Sequence, residues 1–312
     1  MRLRSLVTAG AATVGLAAAS NRLLSRRAES LEPALSGEQH TYRWRGMDIE
    51  YTEAGDPDDQ DVVLLHGISA VGSSREWNQV FDALAENAHV IAPDLPGFGR
   101  SARPALVYSA SLYESFVEDF IRDVSVNPVC IASSLSAAYV VGAAARLDLS
   151  QLVLLCPTAR TRSTPSPLIR TVLRSPFVGT TIFNVLASKP SIRTFNADHA
   201  YFDSSEMSAD DVAYQWQTAH QPGARFAPAS FVSGYLDADI DLETELAELD
   251  VPTTLVWGRE ADVTPLYEGR SLAQAANAKL VVLDRSRLLP HVEHPDTFVD
   301  VVHDELLARE SE

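Results

Sequence analysis

Apolar residues in this chain fall into short uninterrupted runs, separated by stretches in which they recur every three or four positions. The runs Asp61–Leu65, Val90–Pro93, Val129–Ala132, Leu152–Cys156, Thr253–Gly258 and Leu280–Leu283 are too short for buried helices and rich in Val, Ile and Leu, so they read as buried strands. Helical periodicity fills the intervals at Arg75–Asn87, Leu112–Asp123, Ala137–Leu147, Glu268–Ala276 and Asp296–Glu310. Such alternation predicts an α/β protein with a mainly parallel central sheet and helices on both faces. Tyr42–Trp44 and Met47–Thr52 predict an antiparallel pair that opens the sheet.

The alternation stops between Cys156 and Val251, across about 90 residues. Pro157, Pro165 and Pro167 interrupt this stretch, and Val172, Leu173, Phe177, Ile182, Phe183, Val185 and Leu186 predict short helices there. The expected division is therefore an N-terminal apolar segment and linker (1–39), a first core part (40–157), a helical insertion (158–249) and a second core part (250–312).

The most informative local pattern is Val129-Cys-Ile-Ala132-Ser133-Ser134-Leu135-Ser136-Ala-Ala-Tyr-Val-Val141, which reads as strand, sharp turn and helix. A serine at such a turn projects its hydroxyl away from the backbone, beside helix N-terminal amides that receive developing negative charge. Small side chains must stand two positions to either side, because strand and helix converge there, and Ala132 and Ser136 meet that condition. Ser134 is the candidate nucleophile; the competing reading is a serine that only caps the helix.

The order of the other pieces brings in a resemblance. Asp61-Val-Val-Leu-Leu-His66-Gly67-Ile68 is a strand ending in His-Gly, and Asp94-Leu-Pro-Gly97-Phe-Gly99-Arg-Ser101 is a glycine-rich turn after the next strand. Downstream, the strand at Thr253 ends at Gly258, with Asp262 and Pro265 beyond it. From about Tyr42 to Leu307 the chain resembles the α/β-hydrolase family, whose catalytic groups follow in the order nucleophile, acid, histidine. The resemblance implies a helical cap at 158–249, with Tyr201, Phe202, Met207 and Trp216 lining an apolar pocket or packing the cap. It implies that the backbone N–H groups of Ile68 and Leu135 form an oxyanion hole, and that His66 shapes the turn.

At the histidine the chain departs from the family. Aligned on Glu293 and Pro295, the catalytic position holds Leu288 and the preceding glycine position holds Arg287. A leucine takes no proton, so either His291 replaces it or Ser134 has no base. A residue three positions away on a helix lies about 5–6 Å off, beyond hydrogen-bond reach unless Pro290 reshapes the loop. Of the acids Glu260 and Asp262, the spacing to Pro265 favours Asp262, with a surface carboxylate as the alternative. His294 and His303 read as solvated helix residues. His199 and His220 fall in the insertion, where lid loops rarely hold a base rigidly.

Lys and Arg number 25 against 42 Asp and Glu, giving a net charge of −17. Phosphate contact requires a basic face, so nucleic acid is excluded as a partner. Lysine occurs only at Lys189 and Lys279, and such acidic, lysine-poor composition points to molar salt, in which self-repulsion is screened. Cys130 and Cys156 fall in buried strands and read as free thiols of a reducing cytoplasm. No metal-ligand spacing and no phosphate-binding glycine loop is present, so no cofactor or metal is expected.

Leu6–Ser20 is an Ala/Gly/Val-rich run with Arg2 and Arg4 before it and Arg22, Arg26 and Arg27 after; it is short of the roughly 20 apolar residues a membrane span needs, and extending it to Leu24 admits Asn21 and Arg22. The open readings are an interfacial anchor, a helix packed on the core, or a signal peptide ending near Ala17-Ala18-Ala19, which the following arginines disfavour. The expected function is a serine hydrolase of a small apolar ester or related acyl compound, using Ser134, Asp262 and His291. The alternative is a non-catalytic relative that binds an apolar ligand or a protein partner, because of Leu288. The expected location is the cytoplasm, with peripheral membrane association through 6–24.

Overall fold

The computed structural model describes residues 30–162 and 164–310; the anchor, packed helix and signal peptide considered for residues 6–24 lie outside them. Its strands are β1 (Glu38–Trp44), β2 (Met47–Ala54), β3 (Asp61–Leu65), β4 (His89–Pro93), β5 (Val129–Ser133), β6 (Gln151–Leu155), β7 (Thr253–Gly258) and β8 (Lys279–Leu283). They form one sheet in the order β1-β2-β4-β3-β5-β6-β7-β8. The pairs β1–β2 and β2–β4 are antiparallel and the remainder are parallel.

The sheet is central because its middle strands are apolar on both sides: β5 and β6 are buried at every position, as expected where helices cover both faces. Side chains alternate between two cores. Cys130, Ala132, Leu152 and Leu154 join a cluster with the aromatic residues Tyr113, Phe116 and Tyr139. Val129, Ile131, Val153 and Leu155 join the opposite cluster with Trp77, Phe81 and Phe298. Both cysteines are buried free thiols.

The core helices are α1 (Phe81–Leu84), α2 (Ala110–Val124), α3 (Leu135–Ala144), α10 (Leu266–Ala275), α11 (Pro290–Glu293) and α12 (Pro295–Glu310). Between β6 and β7 the insertion carries α4 (Pro167–Arg174), α5 (Val178–Leu186), α6 (Lys189–Phe195), α7 (Ala209–Ala219), α8 (Phe226–Val232) and α9 (Leu242–Glu248). Serine side chains cap α2, α4, α6 and α7, namely Ser109, Ser166, Ser188 and Ser208.

Two expectations change. The continuous helix anticipated over Arg75–Asn87 is a 3₁₀ turn at Ser74–Trp77 followed by α1, because the Asp94 carboxylate accepts the Ser74 N–H at 2.7 Å and fixes the chain there. The linker anticipated within 1–39 packs in part: Ala34 and Leu35 are buried, and the Tyr214 hydroxyl donates to the Glu32 carbonyl. Among the described residues no helix is long and apolar enough to cross a membrane.

Candidate active site

Ser134 stands between β5 and α3 with φ 54° and ψ −123°. A non-glycine residue at positive φ is costly, on the order of 1–3 kcal/mol, and persists only where its surroundings hold it. Here they do. Its N–H donates to the Leu155 carbonyl at 2.8 Å, and its carbonyl accepts from Ala137 at 3.2 Å and Thr158 at 3.3 Å. The side chain makes no capping bond to α3, so the hydroxyl is not spent on the helix.

The facing loop follows β3. His66 is buried in a single tautomer, with Nε2 accepting the Leu95 N–H at 3.1 Å and Nδ1 donating to the Gly67 carbonyl at 2.9 Å. Burial lowers its pKa, so it is a neutral scaffold for the turn. The Ser136 hydroxyl donates to the His66 carbonyl at 2.6 Å and clamps this loop to α3. Among the described residues the N–H groups of Ile68 and Leu135 have no backbone partner, as required of donors that await an oxyanion. The turn Asp94–Ser101 buttresses the same region. Gly99 has φ +48°, and a Cβ there would lie 1.9 Å from the Asp94 carboxyl, which explains why glycine stands in that motif.

Nothing in the sequence singles out Glu76. Its Oε2 accepts the Gly67 N–H at 2.9 Å, and the Ser133 hydroxyl donates to the same carboxylate. A point one Cβ bond from the Gly67 Cα lies 3.2 Å from Glu76 Oε2, 3.2 Å from Ser133 Oγ and 3.6 Å from Ser134 Cβ, so a carboxylate is lodged beside the elbow. Desolvation raises its pKa to about 7, against the lowering effect of the two hydrogen bonds. A charged residue between Arg75 and Trp77 reads as solvated in sequence; only the tertiary fold buries it.

The acid and base expected from the sequence do not meet. Asp262 is half-exposed, and its Oδ2 lies 3.0 Å from Nδ1 of His199 in the insertion. His291 is fully buried, its ring 4.6 Å from that of Trp77 and 5.7 Å from that of Phe298. Its Nε2 is 3.6 Å from Glu76 Oε1, too long for a hydrogen bond, and both ring nitrogens and that Glu76 oxygen are without hydrogen-bond partners. Burial drives the His291 pKa down to about 3. The loop containing it is fixed by Glu293, whose carboxylate accepts the Arg287 N–H at 2.9 Å and the Phe202 N–H at 2.6 Å.

Leu288, at the expected histidine position, and Ala261, beside the expected acid, are apolar and pack into the core. Leu288 packs against the cluster that contains Ile68, Leu135 and the buried Ala261, so the neighbour of Asp262, rather than Asp262 itself, turns inward. Arg287 reaches the other way and donates to the carbonyls of Ala197 and Asp198, holding the π-helical turn Asn196–Ala200 that carries His199. Glu260 accepts the Ser286 N–H at 3.0 Å and ties the β7 loop to the β8 loop. In the insertion Tyr201 is buried, Phe202 is exposed, and Trp216 stacks on His220 at 4.2 Å.

Residues 62–301 match the model of the Alpha/beta hydrolase family. A pimeloyl-[acyl-carrier protein] methyl ester esterase of Aeromonas salmonicida is 30% identical over 250 residues, covering 78% of this chain and 93% of the esterase. A 2-hydroxy-6-oxo-6-(2'-aminophenyl)hexa-2,4-dienoic acid hydrolase of Metapseudomonas resinovorans is 24% identical over 273 residues, covering 82% of this chain and 86% of that one. Among solved structures, a serine hydrolase involved in carbazole degradation superposes with a TM-score of 0.71 at 19% identity, covering 88% of this chain and 99% of that chain. The chain belongs to the α/β-hydrolase family, and its relatives are esterases and other hydrolases.

Proposed function

We propose that the protein is a serine hydrolase of a small apolar ester or related acyl compound, with Ser134 as nucleophile. The observation that carries this reading is the strained Ser134 backbone at the β5–α3 turn, facing unpartnered N–H groups of Ile68 and Leu135. Ser134 Oγ attacks the acyl carbon, the carbonyl oxygen becomes an oxyanion held by the two amides, and collapse expels the alcohol. Water then repeats the attack on the acyl-enzyme and releases the acid.

We assign acceptance of the serine proton, and its return to the departing alkoxide, to Glu76, because its carboxylate is the one lodged beside the elbow. A base is most effective when its pKa lies near the working pH, and Glu76 at about 7 satisfies that condition, whereas His291 at about 3 holds a proton poorly. In this reading His291, which makes no hydrogen bond to Glu76, takes no proton, and Asp262 serves the contact with His199.

A second reading is favoured by one observation. Leu288, which takes no proton, packs against the apolar cluster that contains Ile68 and Leu135, a setting that suits an apolar ligand held without turnover. The test is hydrolysis of short-chain p-nitrophenyl esters in molar KCl by the parent and by Ser134→Ala. Loss of activity in the variant supports the hydrolase; equal background rates support the ligand-binding reading.

A further inference from the structure

The insertion differs in charge from the rest of the molecule. In a chain of net charge −17, residues 149–197 carry Arg160, Arg162, Arg170, Arg174, Lys189 and Arg193 and not one Asp or Glu. Within this stretch α5 is apolar nearly all round, yet it buries only Gly179 and Phe183. Val178 (56% exposed), Ile182 (37%), Val185 (63%) and Leu186 (49%) face solvent. Their spacing of four, three and one places them on a single helical face. Lys189 and Arg193 follow directly, both exposed, and among the described residues neither is paired with a carboxylate.

A stripe of this kind on an otherwise acidic protein marks an interaction face. Three occupants are conceivable, and charge separates them. A second copy would bring an equally basic face against this one. The chain's own N-terminal segment is also basic, with Arg2, Arg4, Arg22, Arg26 and Arg27 and no acidic residue before Glu29, so it too would meet like charge. An anionic lipid surface complements both features at once, since it takes an apolar helix face into the headgroup boundary and attracts the flanking cations.

We propose that α5, with Lys189 and Arg193, is a docking face for an anionic lipid bilayer, by which the protein binds membranes peripherally. The proposal is independent of whether Ser134 hydrolyses anything.

The test is co-sedimentation of the full chain with phosphatidylglycerol vesicles and with phosphatidylcholine vesicles. The parent is expected to bind the anionic vesicles about tenfold or more tightly than the neutral ones at low salt, a difference that shrinks in molar KCl, where the Debye length is about 3 Å. The double variant Ile182→Glu/Val185→Glu should lose binding to both. Lys189→Glu/Arg193→Glu should lose only the preference for anionic lipid. All four positions are exposed, so circular dichroism and melting temperature should match the parent. Absence of parent binding overturns the proposal, as does unchanged binding by Ile182→Glu/Val185→Glu, which would assign membrane binding to residues 1–29. A lipid-free dimer that Ile182→Glu/Val185→Glu abolishes would overturn it in favour of a face between copies.

Discussion

The two sides of the elbow have been treated differently by this sequence. On the β3 side the turn is held by specific hydrogen bonds: His66 in one tautomer, Ser136 on the His66 carbonyl, Gly67 on Glu76. On the side of the β7 and β8 loops, Ala261 and Leu288 fill an apolar cluster, while Asp262 and Arg287 turn outward to the insertion. Oxyanion donors are backbone groups and persist through side-chain change, whereas an acid–histidine pair exists only as side chains. In the triad hydrolases, removal of triad members leaves roughly 10³–10⁴-fold catalysis over water from binding and the oxyanion hole alone, so an oxyanion hole without an acid–histidine pair is not thereby inert.

The largest effect is expected from placing an acid and a histidine on the β7–β8 side. Ala261→Asp together with Leu288→His is expected to raise kcat/KM for a model ester by about 10²–10⁴-fold, the usual contribution of a positioned general base; an unchanged rate would mean that these loops do not face the elbow productively. The next effect sharpens the other side. Glu76→Gln keeps an oxygen for the Gly67 N–H but removes the base, so turnover should fall about 10²-fold or more. The parent's rate should climb as pH passes about 7, where Glu76 loses its proton, and the variant's should not.

The same pair makes a prediction for stability on the order of 2 kcal/mol. Glu76 has its folded pKa raised from 4.5 to about 7, so its contribution is present below 4.5 and is lost as pH rises to about 7. His291 has its folded pKa lowered from 6.5 to about 3, so its contribution is present above 6.5 and is lost as pH falls toward 3. Between pH 4.5 and 6.5 the two slopes oppose each other and the parent's denaturation midpoint should be nearly flat. Glu76→Gln should become less stable as pH falls through that window, and His291→Phe less stable as pH rises through it; parallel profiles for all three proteins would remove the pair from the account. The smallest effect is expected from Arg287→Ala. It should cost about 1 kcal/mol and accelerate amide exchange at residues 196–200, because Arg287 holds the carbonyls of Ala197 and Asp198.

Much of the fold was legible because parallel strands buried on both faces leave an unambiguous mark: β7 coincides with the expected Thr253–Gly258, and α2, α3, α10 and α12 lie within three residues of their expected limits. The elbow was legible for the same reason, since small residues around Ser134 report a steric requirement that is local. What was not legible depends on contacts distant in sequence. Nothing about Glu76 or His291 taken singly announces that they lie 3.6 Å apart, across more than two hundred residues of chain. Asp262 was placed by spacing from Pro265, yet spacing does not say which of Ala261 and Asp262 turns toward the core. The insertion's helices were foreseen from their prolines and apolar positions, but not that α5 would leave most of its apolar face in solvent.

We expect Ser134 to be held at the elbow as a reactive group even though Leu288 stands at the usual histidine position. Treatment of the full-length protein with an alkyl fluorophosphonate, followed by peptide mapping, tests it most directly. The account predicts a covalent adduct on Ser134, abolished by Ser134→Ala and slowed by Glu76→Gln. An unlabelled Ser134, or labelling of another serine alone, would contradict it.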